Sequence, residues 1–179
     1  KQTREQFPIF SQNKSFIYFD NAATTQKPQC LLNTLTQFYS SEYATVHRSI
    51  YTSATQASNR YEKARIELAQ HHSCDPSGLI WTRGTTDGLN MCAHLLWENN
   101  IIKKGDEIII VGYEHHSNFV PWLMLKNKGV ILKIIPNHDL TRYEKTFSKR
   151  TRLVVLCHVS NITGYSYPIK RLTKIAKEH

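Results

Sequence analysis

The chain has 179 residues, the length of one domain with a hydrophobic core of its own. Hydrophobic residues make up 40% and charged residues 21%, as in soluble globular proteins, and no apolar run is long enough to cross a bilayer. The formal net charge is +9, but the basic residues are dispersed and form no basic helix or aromatic-interleaved strip. This pattern favours a solvated surface over nucleic-acid binding.

The four cysteines are scattered and form no C-x-x-C pair, so neither a metal site nor a disulfide framework is predicted. They are Cys30, Cys74, Cys92 and Cys157. Cys92 and Cys157 lie in apolar segments and are interpreted as small core residues. The N-terminus shows no secretory pattern, and reduced thiols indicate a cytoplasmic location without membrane attachment.

The first half of the chain predicts two helices joined by irregular segments. Pro28 is expected to open a helix that runs toward Tyr39, because proline suits the first helical turn. An imperfect apolar stripe at helical spacing predicts a second helix over 52–71. The other expectations here are an irregular arm over 1–15, a strand-like run over Phe16–Phe19 and a turn over Asp20–Thr25.

The second half alternates strands and helices, which predicts an α/β fold with a mostly parallel sheet and flanking helices over 16–179. Its apolar runs are typical of strands covered on both faces. The predicted strands are Leu79–Thr82, Glu107–Val111, Val130–Ile135 and Leu153–His158. The predicted helices are Thr86–Glu98, Phe119–Asn127, Leu140–Phe147 and Ile169–Glu178. The chain stops on a helix where a further strand is expected, so the sheet is expected to be incomplete at the C-terminus.

Three polar clusters follow predicted strands. They are R-G-T-T from Arg83, E-H-H-S-N from Glu114 and H-V-S-N from His158. Ligands of open α/β sheets bind beyond the carboxyl ends of the strands, so the shared placement predicts one site. The first cluster also opens a helix, whose free N–H groups and dipole favour an anion. With Gly84 allowing close approach and Thr85 and Thr86 adding hydroxyls, it predicts a phosphate cradle.

Other candidate residues leave alternatives open from their chemistry alone. His115 and His116 are interpreted as acid–base groups, as flat surfaces for a flat ligand or as loop residues without a role, and no metal spacing accompanies them. Asn161 is an amide donor or an ordinary turn residue. His47 and Arg48 sit between the two long helices, where a buried Arg would clamp a carboxylate or phosphate, or bond to backbone carbonyls.

The sequence lacks the motifs of several enzyme classes. It has no G-x-S-x-G elbow, no G-x-G-x-x-G fingerprint and no P-loop with its Lys. Neither a nucleophilic triad nor dinucleotide binding is therefore predicted.

Taken together, five motifs resemble one family over nearly the whole chain. They are F-D-N-A-A-T-T-Q-K-P from Phe19, V-H-R-S-I-Y-T from Val46, R-G-T-T-D-G-L-N from Arg83, E-H-H-S-N-F-V-P-W from Glu114 and T-R-L-V-V-L-C-H-V-S-N-I-T-G from Thr151. In this order they resemble the N-terminal part of a group II (SufS-like) cysteine desulfurase of the class V aminotransferase superfamily. The resemblance implies the large domain of the fold type I transferases that depend on pyridoxal 5'-phosphate (PLP).

The resemblance also implies roles for the polar residues. Thr85 and Thr86 would hold the PLP phosphate, His115 would stack on the pyridine ring as cofactor-binding and catalytic residue, and Asn161 would lie near the ring hydroxyl and the substrate carboxylate. His47 and Arg48 would line the substrate side. Asp87 stands where Glu is common, and Ser49 replaces a frequent Gly.

Several family features do not occur in this chain. They are the D-G-A-Q segment whose Asp pairs with the pyridine nitrogen, the Schiff-base Lys of a G-H-K segment, the persulfide-forming Cys and a carboxylate-binding Arg. Because PLP chemistry needs the Lys and the protonated ring, the chain alone is predicted to be inactive. With an unfinished sheet edge, it is also expected to aggregate or to unfold with poor cooperativity.

The function implied for the intact protein is conversion of L-cysteine to L-alanine with an enzyme persulfide, supplying sulfur for iron–sulfur cluster assembly. A homodimer, a sulfur-acceptor protein and selenocysteine lyase activity are further implications of the resemblance. The alternatives are another class V enzyme, kynureninase-like or epimerase-like, and a non-catalytic truncated product.

Overall fold

A computed structural model describes residues 2–136 and 139–179 of the chain. The chain divides into two compact units, Lys1–Ile80 and Trp81–His179. The sequence-based division into an arm over 1–15 and a domain over 16–179 stays a prediction, and Lys1 lies outside the described residues.

The unit Lys1–Ile80 is helical. Its helices are α1 (Gln2–Glu5), α2 (Pro8–Gln12), α3 (Gln29–Gln37) and α4 (Thr52–His71). A π-helical turn over Phe38–Glu42 extends α3, and a 3-10 turn over Pro76–Gly78 follows α4. The predicted bounds of α4 are confirmed, and its buried face consists of small residues, Ala54, Ala57 and Ala69. The turn after Asp20 is also confirmed.

Two expectations for this unit are wrong. The arm is not irregular, since it contains α1 and α2. Phe16–Phe19 is extended chain rather than a strand, and a side chain binds one of its backbone carbonyls. The Phe16 carbonyl accepts a hydrogen bond from Arg4 Nη2 at 2.6 Å, and the Arg4 guanidinium lies 4.0 Å from the Phe10 ring centre.

The unit Trp81–His179 is an α/β structure, as predicted. It contains α5 (Thr85–Glu98), β1 (Glu107–Val111), α6 (Val120–Lys126), β2 (Ile131–Ile135), β3 (Thr151–Val155) and α7 (Ile169–Glu178). The three strands are parallel in the order β2-β1-β3. Ile109 is therefore opposite Lys133 of β2 on one side and Val154 of β3 on the other.

Alternation along the central strand builds a core on each face of this sheet. All five residues of β1 are buried. Ile108 and Ile110 join a cluster that includes Ala93 of α5 and Trp122 of α6. Ile109 and Val111 join the other cluster, in which Leu172 of α7 is buried. The continuous apolar run of β1 thus reflects burial on both faces, as expected.

Two further expectations are wrong. Leu79–Thr82 is extended chain outside the sheet, because a strand needs a neighbouring strand for its peptide groups. Instead, the Leu79 carbonyl accepts a hydrogen bond from Arg65 Nη1, and the Ile80 side chain is 65% exposed. The helix predicted over Leu140–Phe147 is replaced by two 3-10 turns, Leu140–Arg142 and Glu144–Thr146.

Candidate active site

The order β2-β1-β3 creates a switch point between two neighbouring strands. The loop after β1 leads to α6, which packs on one face of the sheet, and the loop after β3 leads to α7, which packs on the other face, so these loops diverge. Such a crevice is the usual ligand position in an open α/β sheet. Two of the predicted polar clusters follow these strands, the first beginning at Glu114 and the second at His158.

The Glu114 carboxylate joins the loops after β1 and β3. Its Oε1 accepts a hydrogen bond from the Cys157 N–H at 2.5 Å, and its Oε2 accepts one from Asn118 Nδ2 at 2.8 Å. Asn118 Oδ1 in turn accepts from Trp122 Nε1 at 3.4 Å. Glu114 therefore links the loop after β1 to Cys157, the residue directly before the cluster that begins at His158.

The same contacts disfavour ionisation of the neighbouring thiol. Burial raises the pKa of Cys157, and the charge of Glu114 and its hydrogen bond raise that pKa further. Cys157 is partly buried, as interpreted from the sequence, whereas Cys92 is exposed, so its assignment to the core is wrong. Cys157 therefore lacks the surroundings of an activated thiolate.

A cavity of about 540 Å³ brings together the clusters that begin at Arg83 and at Glu114. Thr85, at the start of α5, and His115, after β1, both line it, with Ser117 beside them. Its walls are mostly apolar and include Leu89, Cys92, Leu96, Glu114, Asn118, Trp122 and residues 153–157. The volume lies within the range of small-molecule sites, which are typically apolar with a few polar groups.

The start of α5 has the geometry of an anion cradle. Gly84 is the N-cap residue with φ +148°, a conformation that side chains disfavour, and no side chain caps the helix there. Thr85 and Thr86 are exposed and occupy the first turn. First-turn N–H groups and two hydroxyls are a donor set suited to a phosphate.

Asp87, in the first turn of α5, is paired with Arg83. Asp87 Oδ1 pairs with Arg83 Nη2 at 3.1 Å, and Oδ2 accepts from the Arg83 N–H at 3.2 Å. The hydrogen bond from the Arg83 side chain is the largest cause that lowers the pKa of Asp87. The carboxylate therefore binds the residue before Gly84, and no side chain caps α5 at Gly84.

His115 is exposed and its ring is anchored through one nitrogen. The ring nitrogen Nδ1 lies 2.8 Å from Ser117 Oγ and accepts a hydrogen bond from the Ser117 N–H at 3.1 Å. His115 thereby caps the 3-10 turn His116–Asn118. His116 is also exposed, with its ring centre 6.3 Å from that of His115.

Asn161 lies in a turn after β3 and is exposed. The buried Ser160 hydroxyl accepts hydrogen bonds from the N–H groups of Ile162 and Thr163 at 3.3 and 3.2 Å. Gly164, with φ +70°, completes the turn. Asn161 is not among the residues that line the 540 Å³ cavity.

His47 and Arg48 belong to the unit Lys1–Ile80. His47 has φ +65°, its N–H donates to Ser58 Oγ at 2.9 Å, and its Nε2 lies 3.1 Å from Glu62 Oε1. Positive φ at a residue other than glycine is uncommon and is often found at functional sites. Arg48 is exposed, whereas the clamp considered from the sequence requires a buried Arg. The expectation that Arg48 is buried is therefore wrong.

The sequence placed Glu114 and Ser117 in a predicted polar cluster but gave neither residue a role of its own. Glu114 is a positioning group whose partner, Cys157, is 43 residues away in the chain. A short polar residue two positions after His115 was the available signal for Ser117, because such spacing permits a side-chain turn.

Two other features concern the described ranges, 2–136 and 139–179: metal-binding groups and membrane-spanning helices. No group of three or more His, Cys, Asp or Glu residues could hold a metal ion there. No helix in these ranges has the length and apolar character needed to cross a membrane.

Comparison with known proteins identifies the family. The sequence family of the class-V aminotransferases matches residues 17–179 of the chain. The chain belongs to this family. Members of the family depend on PLP, and the observed α/β unit with its parallel sheet agrees with the fold that the motifs implied.

Several of the similar proteins are named cysteine desulfurases. The chain is 36% identical to cysteine desulfurase SufS of Plasmodium falciparum, over 99% of this chain and 34% of that protein. The apo structure of a cysteine desulfurase from Thermococcus onnurineus has a TM-score of 0.89 at 32% identity, over 99% of this chain and 44% of the other. Cysteine desulfurase CsdA from Escherichia coli has a TM-score of 0.82 at 35% identity, over 99% and 45%. The chain spans less than half the length of the curated relatives it matches.

Proposed function

We propose that this chain provides the phosphate and ring-stacking part of the PLP site of a cysteine desulfurase. The observation that carries the proposal is the cavity shared by Thr85 and His115, in a chain whose relatives are named cysteine desulfurases. The same relatives favour this activity over the kynureninase-like and epimerase-like alternatives.

The residues fit PLP in three respects. The phosphate is matched by the uncapped start of α5 with Thr85 and Thr86. The aromatic ring is matched by the exposed imidazole of His115, and the apolar walls of the cavity suit a flat heterocycle. In addition, Gly84 has open space where a Cβ would stand, so the backbone can be approached closely there.

Each residue has a proposed role. Thr85 and Thr86 bind the phosphate, His115 stacks on the pyridine ring as cofactor-binding and catalytic residue, and Asn161 donates its amide to the ring hydroxyl and the substrate carboxylate. His47 and Arg48 are proposed to bind substrate. When bound, PLP supplies the electron sink for bond changes at the substrate Cα.

The proposed reaction of the intact protein converts L-cysteine to L-alanine and leaves the sulfur as an enzyme persulfide. A cytoplasmic homodimer that passes sulfur to an acceptor protein of iron–sulfur cluster assembly is part of the proposal, as is selenocysteine lyase activity. The chain of 179 residues contains neither the Lys nor the Cys motif of the family, so we propose that it does not turn over by itself.

PLP binding tests the cofactor site directly. Titration of the chain with PLP, followed by absorbance and by 31P NMR, is expected to saturate. Thr85→Val is expected to weaken binding by about tenfold or more, since a hydrogen bond to a charged group is worth about 1.5–3 kcal/mol. Thr173→Val, on α7, serves as the matched control and should leave binding unchanged. Failure of PLP to saturate, or equal binding by Thr85→Val, would contradict the proposal.

A turnover assay tests the proposal that the chain is inactive by itself. With PLP and L-cysteine, the chain is expected to produce neither alanine nor sulfide catalytically. Multiple turnovers would show that the missing groups are not needed.

A further inference from the structure

The turn that carries His115 constrains which ring nitrogen bears hydrogen. The Ser117 backbone N–H donates to Nδ1 at 3.1 Å. A backbone N–H can only donate, so the nitrogen that faces it must present a lone pair. A hydrogen on Nδ1 would point at the hydrogen of this N–H.

The Ser117 side chain reinforces the same state. Its hydroxyl oxygen lies 2.8 Å from Nδ1, a distance at which a hydroxyl donates a normal hydrogen bond. Because the backbone donor excludes a hydrogen on Nδ1, the hydroxyl must be the donor in this second contact. The hydroxyl and the backbone N–H then share the lone pair of Nδ1. Ser117 is 9% exposed, so bulk water competes poorly for its hydroxyl.

We propose that Ser117 is a positioning residue that holds His115 in the tautomer protonated at Nε2. Two donors from one residue fix both the tautomer and the ring, and leave the Nε2–H available to a ligand. The functional role of this arrangement rests on the proposed function. A His115 ring with a fixed orientation in the cavity can stack on the pyridine of PLP without first reorienting. The tautomer itself is a property of the chain without cofactor.

Nearby residues do not provide the same constraint on Nδ1. The Glu114 carboxylate accepts from Cys157 and Asn118, and the His116 ring centre is 6.3 Å from that of His115. The constraint on Nδ1 therefore comes from Ser117. Replacement of its side chain removes one donor and keeps the other, which makes the contribution of the hydroxyl measurable.

NMR of the 15N-histidine-labelled chain without PLP tests the proposal. At about pH 8, where an ordinary imidazole is neutral, two-bond proton–nitrogen correlations of His115 should show an unprotonated Nδ1 and a protonated Nε2. Ser117→Ala should raise the population protonated at Nδ1 about fivefold, the ratio that one net hydrogen bond supplies. Ser117→Thr keeps the hydroxyl and should restore the original spectrum.

Ser160→Ala is the matched control, because it removes another buried hydroxyl from a turn and should leave the His115 tautomer unchanged. A wild-type ring protonated at Nδ1 would overturn the proposal, as would an unchanged tautomer ratio in Ser117→Ala. Should Ser117→Ala not fold, the wild-type and Ser117→Thr spectra still decide, since both must show Nε2–H.

Titration of the same samples with PLP separates this proposal from the proposed function. Ser117→Ala is expected to weaken PLP binding several-fold, with recovery in Ser117→Thr. If wild-type chain does not bind PLP, the proposed function fails, whereas the tautomer result stands or falls on the spectra without PLP.

Discussion

A buried carboxylate with four side-chain partners lies at the end of β1 remote from the candidate site. Glu107 is 1% exposed. Lys133 Nζ lies 2.7 Å from its Oε2 and Arg150 Nη2 lies 3.2 Å from its Oε1. Ser148 and Thr151 donate hydroxyl hydrogen bonds to Oε2 at 2.6 and 3.2 Å. These partners include residues of β2 and β3, so Glu107 links all three strands.

Replacement of Glu107 should therefore loosen the sheet. Glu107→Gln leaves Lys133 beside a neutral group. A hydrogen bond to a charged group contributes about 1.5–3 kcal/mol, and both cations here are partly exposed. Hydrogen exchange of the β1 amides should therefore accelerate by roughly ten- to a hundredfold. Glu98→Gln removes an exposed pair with Lys128 at 3.8 Å and should change exchange little. Equal effects of the two variants would contradict this assignment.

Acid should reproduce the effect of that substitution. Burial by itself raises the pKa of Glu107, but the hydrogen bonds from Lys133, Ser148 and Thr151 and the charge of Lys133 prevail and lower it from 4.5 to about 2. The contribution to folding is thus present above pH 4.5 and lost as the pH falls toward 2. Amide protection of wild type and Glu107→Gln should converge over this window. A constant difference between them down to pH 2 would refute the shift.

Cysteine reactivity should follow the surroundings of each thiol. Cys157 is partly buried and its pKa is raised, whereas the other three cysteines are exposed. Iodoacetamide should therefore modify Cys157 most slowly, because the thiolate is the reactive form. Peptide mass spectrometry over a time course measures the order. Rapid modification of Cys157 in folded protein would show that its burial or its contact with Glu114 is not maintained.

At the level of elements, α5 and its N-cap have one glycine each, and the two glycines have opposite requirements. Gly84 has φ +148° and open space at its Cβ position, so Gly84→Ala costs backbone strain of about 1–3 kcal/mol without any clash. Gly88 is helical, and an added Cβ would meet Thr82 Oγ1 at 3.5 Å, an ordinary contact. Gly88→Ala should stabilise the helix by about 1 kcal/mol.

Hydrogen exchange of the α5 amides measures both changes, which should have opposite signs. Stabilisation by Gly84→Ala would mean that its positive φ is not required. This contrast could not be read from composition, because both residues are glycines within one short motif.

At the level of the whole molecule, the sheet edges predict association. Within residues 2–136 and 139–179, β3 pairs with β1 on one side and with no strand on the other, and β2 is the opposite edge. Ile134 of β2 is 53% exposed. Unpaired apolar edges promote pairing between chains, so we expect a broad thermal transition with light scattering that increases with concentration.

A charge at the edge should reduce this association. Ile134→Lys places a charge on β2, whereas Met124→Lys adds the same charge to α6, where Met124 is 60% exposed. Ile134→Lys should lower the scattering more than Met124→Lys does. A sharp two-state transition of monomeric wild type would contradict the expectation.

The sequence by itself determined those elements whose buried face is visible in the spacing of their own apolar residues. The apolar run Glu107–Val111, the helix Thr52–His71 and the helix Ile169–Glu178 have the predicted bounds. Their spacing reflects the period of one element packed on a core, which needs no knowledge of its partners. The ordered polar motifs likewise identified the family, which the match over residues 17–179 confirms.

Tertiary structure decided what depends on residues far apart in the chain. Phe16–Phe19 and Leu79–Thr82 have strand-like composition but lie outside the sheet, since a strand exists only with a partner. The bond from Cys157 to Glu114 spans 43 residues, and only the strand order made them neighbours. The sequence placed His115 at a strand end, and the folded turn added the two donors of Ser117 that fix its ring.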